Sequence, residues 1–244
     1  MVGMSALPKI NAVWRVPLIL SATAVLASIS VFFSILDSSG RMQHACARLW
    51  GKFILFVSRV KVSVAGFDRL DPSKGYVFMA NHLSMFDHWA FLAELPFQFR
   101  FAAKASLFRI PFLGWHLRRS GNIPVDRTNP RKTLRNFKAV AERVGSGLSL
   151  VIYPEGARTW GEGLAPFKRG PFILAKTAEA PIVPVTIIGA HRRLARGSVV
   201  IYPGGMELII HCPIPFSEYE AMDIPELSDL VRKTIEGSYQ QVYQ

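Results

Sequence analysis

The chain begins with its most apolar pattern. From Val16 to Leu36 no residue carries a charge, and the run is bounded by Arg15 and Asp37. A helix needs ~20 predominantly apolar residues to cross the hydrocarbon core of a bilayer, so a membrane helix is expected here. A cleaved signal peptide is the alternative, because Lys9 and Arg15 precede the run, but the apolar stretch exceeds the roughly 7–15 residues of such signals. Over 41–59 the pattern becomes amphipathic. Arg41, Arg48, Lys52 and Arg59 fall on one stripe of a helix, and Leu49, Phe53, Phe56 and Val57 supply much of its apolar surface. That is the pattern of an interfacial helix, with a core helix bearing solvated cations as the ordinary alternative. Basic residues on both sides of Val16–Leu36 suit a hairpin in one leaflet or a single span, and the positive-inside bias favours a cytoplasmic C-terminal side.

From Lys61 onward the period shortens. Apolar runs at 61–66, 76–80, 97–103, 148–153, 182–188, 198–203 and 207–212 read as strands, several of them apolar on successive residues, as in strands buried on both faces. Helical stretches at 84–95, 106–119, 130–144 and 167–179 alternate with them, the third with Asn129 as a cap and Pro130 in its first position, and 225–243 closes the chain as one more helix. The expected fold class is α/β, with a mixed, largely parallel sheet flanked by helices and preceded by an N-terminal membrane-anchoring segment. Residues 1–60 are expected to form that segment, and 61–244 one domain with no repeat or internal boundary.

Composition narrows the partners. In 244 residues, 29 Lys and Arg against 17 Asp and Glu give a formal net charge of +12, which calls for an anionic partner: nucleic acid, acidic lipid headgroups or a phosphorylated substrate. Mean hydropathy is +0.24, high for a soluble protein. The two cysteines, Cys46 and Cys212, are too few for a disulfide framework and fit a reducing compartment.

The candidate chemistry is concentrated in Asn81-His82-Leu83-Ser84-Met85-Phe86-Asp87-His88, which follows the 76–80 strand. His82 could accept a proton near neutral pH, and Asp87 could orient its ring. Five residues along a helix is a rotation of ~140°, so His82 should precede the helix and fold back. Ser84 with Asp87 fits a capping box, and the bland reading makes Asp87 a capping acid alone. If Asp87 serves as both cap and imidazole partner, one carboxylate oxygen is expected for each role. His88 reads as structural or as a minor substrate contact.

Three further spots lie at expected strand ends: Lys104, the stretch Gly121 to Arg127, and Tyr153-Pro154-Glu155-Gly156-Ala157-Arg158. Loops at the carboxyl ends of strands build the ligand crevice of an open α/β sheet. A base, its carboxylate and several cations suit transfer to a hydroxyl of a phosphorylated acceptor, with Arg127, Arg158 and Lys104 on the phosphate. There is no Gly-x-Ser-x-Gly nucleophile, no Gly-rich phosphate loop and no His or Cys spacing of a metal site, so neither metal nor cofactor is expected.

The ordered set of blocks resembles the glycerolipid acyltransferases related to 1-acylglycerol-3-phosphate acyltransferase. Asn81-His82-x4-Asp87 looks like their first block, Gly121 to Arg127 the second, Glu155-Gly156-Ala157-Arg158 the third and Ile182-Val183-Pro184-Val185 the fourth, with Lys104 to Pro111 similar to the segment between the first two. The resemblance covers roughly residues 75–190. It implies His82 as general base, Asp87 as its carboxylate, Arg127 and Arg158 as acceptor-phosphate ligands, Glu155 and Gly156 in the same binding loop, Lys104 as added charge and Pro184 as a shaper of the acyl-donor side. It also implies acyl-CoA or acyl-acyl carrier protein as co-substrate, lysophosphatidate as acceptor, transfer to its sn-2 hydroxyl, membrane lipids as partners, no nucleic acid, and a catalytic domain on the cytoplasmic face of a membrane. Ala157 stands where the family usually has Thr, which bears on the acceptor; another lysolipid, such as a lyso-ornithine lipid, is the nearer alternative. A non-catalytic anchored protein binding acidic lipid or nucleic acid is the alternative of a different class.

Overall fold

A computed structural model describes residues 7–126, 128–160 and 163–243. Two helices come first, α1 (Leu7–Leu36) and α2 (Arg41–Ser58). There follow β1 (Val60–Ala65), β2 (Val77–Ala80), α3 (Phe86–Glu94), β3 (Phe99–Lys104), α4 (Leu113–Arg119), β4 (Ile123–Val125), α5 (Pro130–Gly145), β5 (Ser149–Ile152), α6 (Arg169–Ala178) and β6 (Ile182–Ile188). The chain ends through α7 (Ala190–Arg193), β7 (Gly204–Ile210), α8 (Phe216–Tyr219) and α9 (Ile224–Tyr243). The strands form one sheet in the order β1-β7-β6-β2-β5-β3-β4. Every pairing is parallel except β6 with β7.

The continuous apolar runs are explained by burial on both faces of this sheet. All four residues of β2 are buried: Phe78 and Ala80 belong to the core shared with Ile54, Leu55, Phe86 and Phe91 of α2 and α3, whereas Val77 and Met79 belong to the core shared with Phe137, Phe172 and Val231 of α5, α6 and α9. Asn129 caps α5, its Oδ1 accepting from the Lys132 amide at 3.0 Å, as its place before Pro130 predicts.

Three elements differ from the sequence pattern. The run 198–203 is not a strand; Pro203 has no N–H to give a ladder, Gly204 takes φ +135°, and pairing starts only there, as β7. The expected helix 106–119 is a short 3₁₀ turn, Ala105–Arg109, and then α4, separated by Pro111 and by Phe112 at φ +61°. A short strand, β4, not among the expected strands, lies within 121–127 and pairs with the end of β3.

Val13–Leu36 is long and apolar enough to cross a membrane, with a mean hydropathy of 2.2 and 11% of its most apolar window buried. One side of α1 rests on the domain, where Ser30 Oγ lies 2.6 Å from His116 Nδ1 and the Trp50 indole donates to Thr23 Oγ1 at 2.9 Å. Helix α2 is packed on one side and exposed on the other. His44, Ala47, Ile54 and Leu55 are packed, while Leu49 and Phe56 are exposed beside Arg41, Lys52 and Arg59.

Beyond the last residue of β2 a side chain continues the sheet. Asn81, wholly buried, donates to the Ile187 carbonyl at 2.9 Å and accepts the Ile187 amide at 2.7 Å, so the chain stays tied to β6 where the ladder has ended. Asn81→Ala leaves both groups of Ile187 buried without that partner, each at a cost of about 1–3 kcal/mol. The urea midpoint is expected to fall at unchanged m value; an unmoved midpoint would show that the clamp is idle.

Candidate active site

Four strands deliver the candidate residues to one end of the sheet. Met79 of β2 is level with Ile152 of β5, Phe101 of β3 with Val151, and Lys104 with Val125 of β4, so His82, Lys104, Asp126 and Tyr153 to Arg158 all follow carboxyl ends. A cavity of about 1120 Å³ opens there, with His82, Lys104, Gly156 and Arg158 in its wall.

His82 and Asp87 meet as expected, with Nδ1 2.7 Å from Oδ2. The division of labour between the two carboxylate oxygens is not the expected one. Oδ2 alone takes the imidazole, the Leu83 amide at 2.7 Å and the Ser84 amide at 2.9 Å, while Oδ1 has no partner among the described residues. An oxygen already accepting from two amides is an acceptor for the third group as well, so Nδ1 carries the proton and Nε2 is left as the basic nitrogen. The capping box is half formed: Asp87 reaches back to the Ser84 amide, but Ser84 Oγ takes the Phe86 amide at 3.3 Å and gives its own proton to Leu194 O at 2.7 Å. Its helix starts a residue later than expected, with Met85 in the capping position.

Asp87 is fully buried, and burial pushes its carboxyl up to about 7 against the pull of the Ser84 and Leu83 amides, His88 and Arg158. His88, which packs edge-on to His82 with ring centres 5.1 Å apart, is driven down to about 3, first by burial and then by His82. It is therefore a neutral packing partner.

Glu155 lies in the cavity wall. It is 4% exposed, Oε1 accepts the His82 amide and Oε2 the Ala165 amide, each at 2.7 Å. Burial lifts its carboxyl to about 7, opposed by those two amides. Both of its oxygens are engaged by the chain, so it braces two loops as well as lining the cavity. Gly156 takes φ +72° to close the turn in which its amide meets Tyr153 O at 3.0 Å, a conformation that disfavours any side chain. Pro184 lies within β6, level with Met79, and not in the cavity wall. Arg127 lies outside the described residues. Asp126 before it makes no salt bridge among them; its Oδ1 accepts the Thr128 amide and hydroxyl at 3.0 and 2.7 Å. No cluster of His, Cys, Asp or Glu able to hold a metal occurs among the described residues.

Several contributors were not singled out from the sequence. Tyr153 stacks on the His82 ring with centres 4.0 Å apart and planes at 13°, and the Thr159 amide donates to His82 O at 2.8 Å. Lys168, Arg169 and Arg196 join Lys104 and Arg158 in the cavity wall. Tyr153 stood at the head of the Tyr-Pro-Glu-Gly string, but its stacking depends on β2 and β5 being neighbours. Lys168 and Arg169 lie at the start of α6, ahead of its apolar face, and their meeting with His82 is a tertiary fact.

Residues 61–188 match the family model described as Acyltransferase. The chain is 32% identical over 176 residues to a chloroplastic 1-acyl-sn-glycerol-3-phosphate acyltransferase of Brassica napus, covering 71% of this chain and 51% of that one. It is 29% identical over 206 residues to a 1-acyl-sn-glycerol-3-phosphate acyltransferase of Saccharomyces cerevisiae, covering 83% and 68%. The chain thus spans about half the length of the chloroplastic plant relatives it matches. The crystal structure of the 1-acyl-sn-glycerophosphate (LPA) acyltransferase PlsC from Thermotoga maritima has the same fold, with a TM-score of 0.82, 20% identity, and coverage of 96% of this chain and 95% of that one. The family model matches more than half of the sequence and spans every strand from β1 to β6, and the chain belongs to the Acyltransferase family.

Proposed function

We propose that this protein transfers a fatty acyl group from a thioester, acyl-CoA or acyl-acyl carrier protein, to the sn-2 hydroxyl of 1-acyl-glycerol-3-phosphate, giving phosphatidic acid. The observation that carries the reading is the His82–Asp87 pair, with His82 in the wall of a cavity that is lined by the cations Lys104, Arg158, Lys168 and Arg169 and by the apolar side chains Leu26, Ala47, Leu92 and Leu107. His82 Nε2 takes the proton of the acceptor hydroxyl as its oxygen attacks the thioester carbonyl. The carbon–sulfur bond breaks from the resulting tetrahedral oxyanion, and the thiolate leaves with the proton that His82 held, so no acyl-enzyme is needed. Asp87 supports the imidazolium of the intermediate. Arg158 and Lys104 suit the acceptor phosphate, a guanidinium for paired hydrogen bonds and an ammonium as a point charge.

The same reading places α1 in a bilayer, with Leu49 and Phe56 of α2 entering the interface and Arg41, Lys52 and Arg59 at the headgroups. The positive-inside bias puts the catalytic domain on the cytoplasmic face.

His82→Ala is expected to lower transfer of labelled acyl groups to lysophosphatidate by ~10²–10⁴-fold while flotation with liposomes is unchanged; full turnover in the purified variant would remove His82 from the chemistry. Arg158→Ala should raise the acceptor KM more than the donor KM, whereas Glu155→Gln, which replaces one of two acceptor oxygens with a donor facing an amide, should lower kcat and leave the two KM values in their original ratio. Equal KM effects for Arg158→Ala, or an acceptor-only effect for Glu155→Gln, would reverse those assignments. Because the Asp87 carboxyl is raised to about 7, lowering the pH through that value protonates the acceptor of Nδ1–H, and kcat/KM is expected to fall on the acid side. A profile flat from pH 8 to pH 5 would contradict this.

A further inference from the structure

The His82 ring is held at an edge by two neighbours and at a face by a third. Asp87 Oδ2 lies 2.7 Å from Nδ1, and the His88 ring stands across it, with planes at 71°. Tyr153 lies flat on it, with planes only 13° apart and ring centres separated by 4.0 Å. That contact is built into the chain. Met79 and Ile152 are level in the sheet, so the segments leaving β2 and β5 run side by side. Pro154 confines the residue before it to extended backbone, and the Glu155 carboxylate that follows takes the His82 amide at 2.7 Å. The segment 153–155 thus grips His82 by its ring and by its backbone.

Tyr153 is 7% exposed and packs also against the rings of His88 and Phe91. Its hydroxyl has no hydrogen-bond partner among the described residues, and burial, reinforced by Asp87, holds the phenol proton on well above the ordinary value. What His82 meets is therefore the π face of a neutral ring. A neutral imidazole gains from such a stack little beyond packing. An imidazolium gains more, because the face of an aromatic ring is negative and attracts a cation lying within about 6 Å of its centre. Only an interaction that strengthens on the way to the transition state raises the rate. As the acceptor O–H bond breaks and the Nε2–H bond forms, positive charge develops on the ring between Asp87 and Tyr153; it is lost again when the proton leaves with the thiolate.

We propose that Tyr153 is a positioning residue whose aromatic face stabilises the His82 imidazolium, so that the electron density of its ring, and neither its hydroxyl nor its bulk, sets part of the rate. The effect on rate rests on the acyl-transfer reading above; the effect on the imidazolium does not.

The test uses the full-length enzyme in mixed micelles with lysophosphatidate and acyl-CoA. Tyr153→Phe should keep the wild-type kcat. One, two or three fluorines on that Phe ring preserve its shape while draining its π face. On the plateau of the pH profile kcat should fall stepwise along this series, roughly three- to tenfold by the third fluorine, with both KM values unchanged. The protonation midpoint of His82, followed by NMR of labelled histidine, should fall in step by up to about one pH unit. Asp87 and His88 on α3, and Glu155 and Arg158 on the loop after β5, are the same in every member of the series, so their influence on the midpoint cancels. Tyr153→Leu, which keeps bulk and loses the ring, should lose at least as much kcat as the trifluorinated variant, and the fluorine series does not depend on its folding. A kcat and a midpoint indifferent to fluorination overturn the proposal and leave the stack as packing alone. A loss in Tyr153→Phe as large as in Tyr153→Leu also overturns it, by giving the role to the hydroxyl. Absence of transfer with every donor would defeat the acyl-transfer reading, while the midpoint would still decide what Tyr153 does to His82.

Discussion

One carboxylate oxygen holds this site together. Asp87 Oδ2 gathers three N–H donors, from the His82 ring and the Leu83 and Ser84 amides, at a position closed to solvent. An isolated carboxylate in such a place is costly, by several kcal/mol even after relaxation. Convergent donors at the start of α3, where the helix dipole favours negative charge, offset that cost. The imidazole is thereby fixed by the same groups that fix the entry to the helix, so its orientation is a consequence of folding. Two more buried polar links complete the arrangement. Asn81 ties the preceding residue to β6, and Glu155 ties the His82 amide to the loop after β5. The residue is held from three separate elements, each of which belongs to a different part of the sequence.

The sheet explains why cations collect at this end. A parallel strand leaves its carboxyl end pointing to the same edge as its neighbours, so β2, β3, β4 and β5 all release their following loops towards the cavity. The net charge of +12 is spread over the whole chain, yet Lys104, Arg158, Lys168, Arg169 and Arg196 share one wall. Each comes from a loop or helix start that the sheet directs there. Like charges so placed repel one another, and a bound anion relieves that repulsion, which makes this wall suited to an anion.

Much of this was legible in the sequence because its causes are local. The successive apolar residues of β2, β5 and β6 follow from burial on both faces, and the cap at Asn129 with Pro130 follows from backbone chemistry within a few residues. The spacing of His82 and Asp87 required a turn before the helix, and that turn is present. What stayed illegible depends on distant neighbours. Nothing within the octapeptide says that Asp87 would use one oxygen for three donors, because the alternative, one oxygen for each role, is equally compatible with the spacing. Glu155 looked like a ligand by its place beside Gly156 and Arg158; only the position of the Ala165 amide, across the loop, shows that both of its oxygens are already engaged. The apolar run at 198–203 misled because periodicity carries no information about the missing N–H of Pro203 or the backbone of Gly204.

Helix α1 joins the two halves of the proposed function. Thr23, Leu26 and Ala27 lie in the cavity wall, whereas Val25, Phe32 and Leu36, on the opposite side of the same helix, are exposed. A segment whose apolar length suits a bilayer is therefore also part of the cavity wall. On the proposed function, with α1 in a bilayer, the lipid phase and the cavity would be separated by the thickness of one helix. The converse also follows from packing. Removing α1 to solubilise the domain would strip the cavity of that wall, take Ser30 from His116 and expose Trp50, whose indole is held by Thr23. Helix α1 and the cavity wall are thus one packing unit, and the apolar length at the start of the sequence serves the packing of the domain as well.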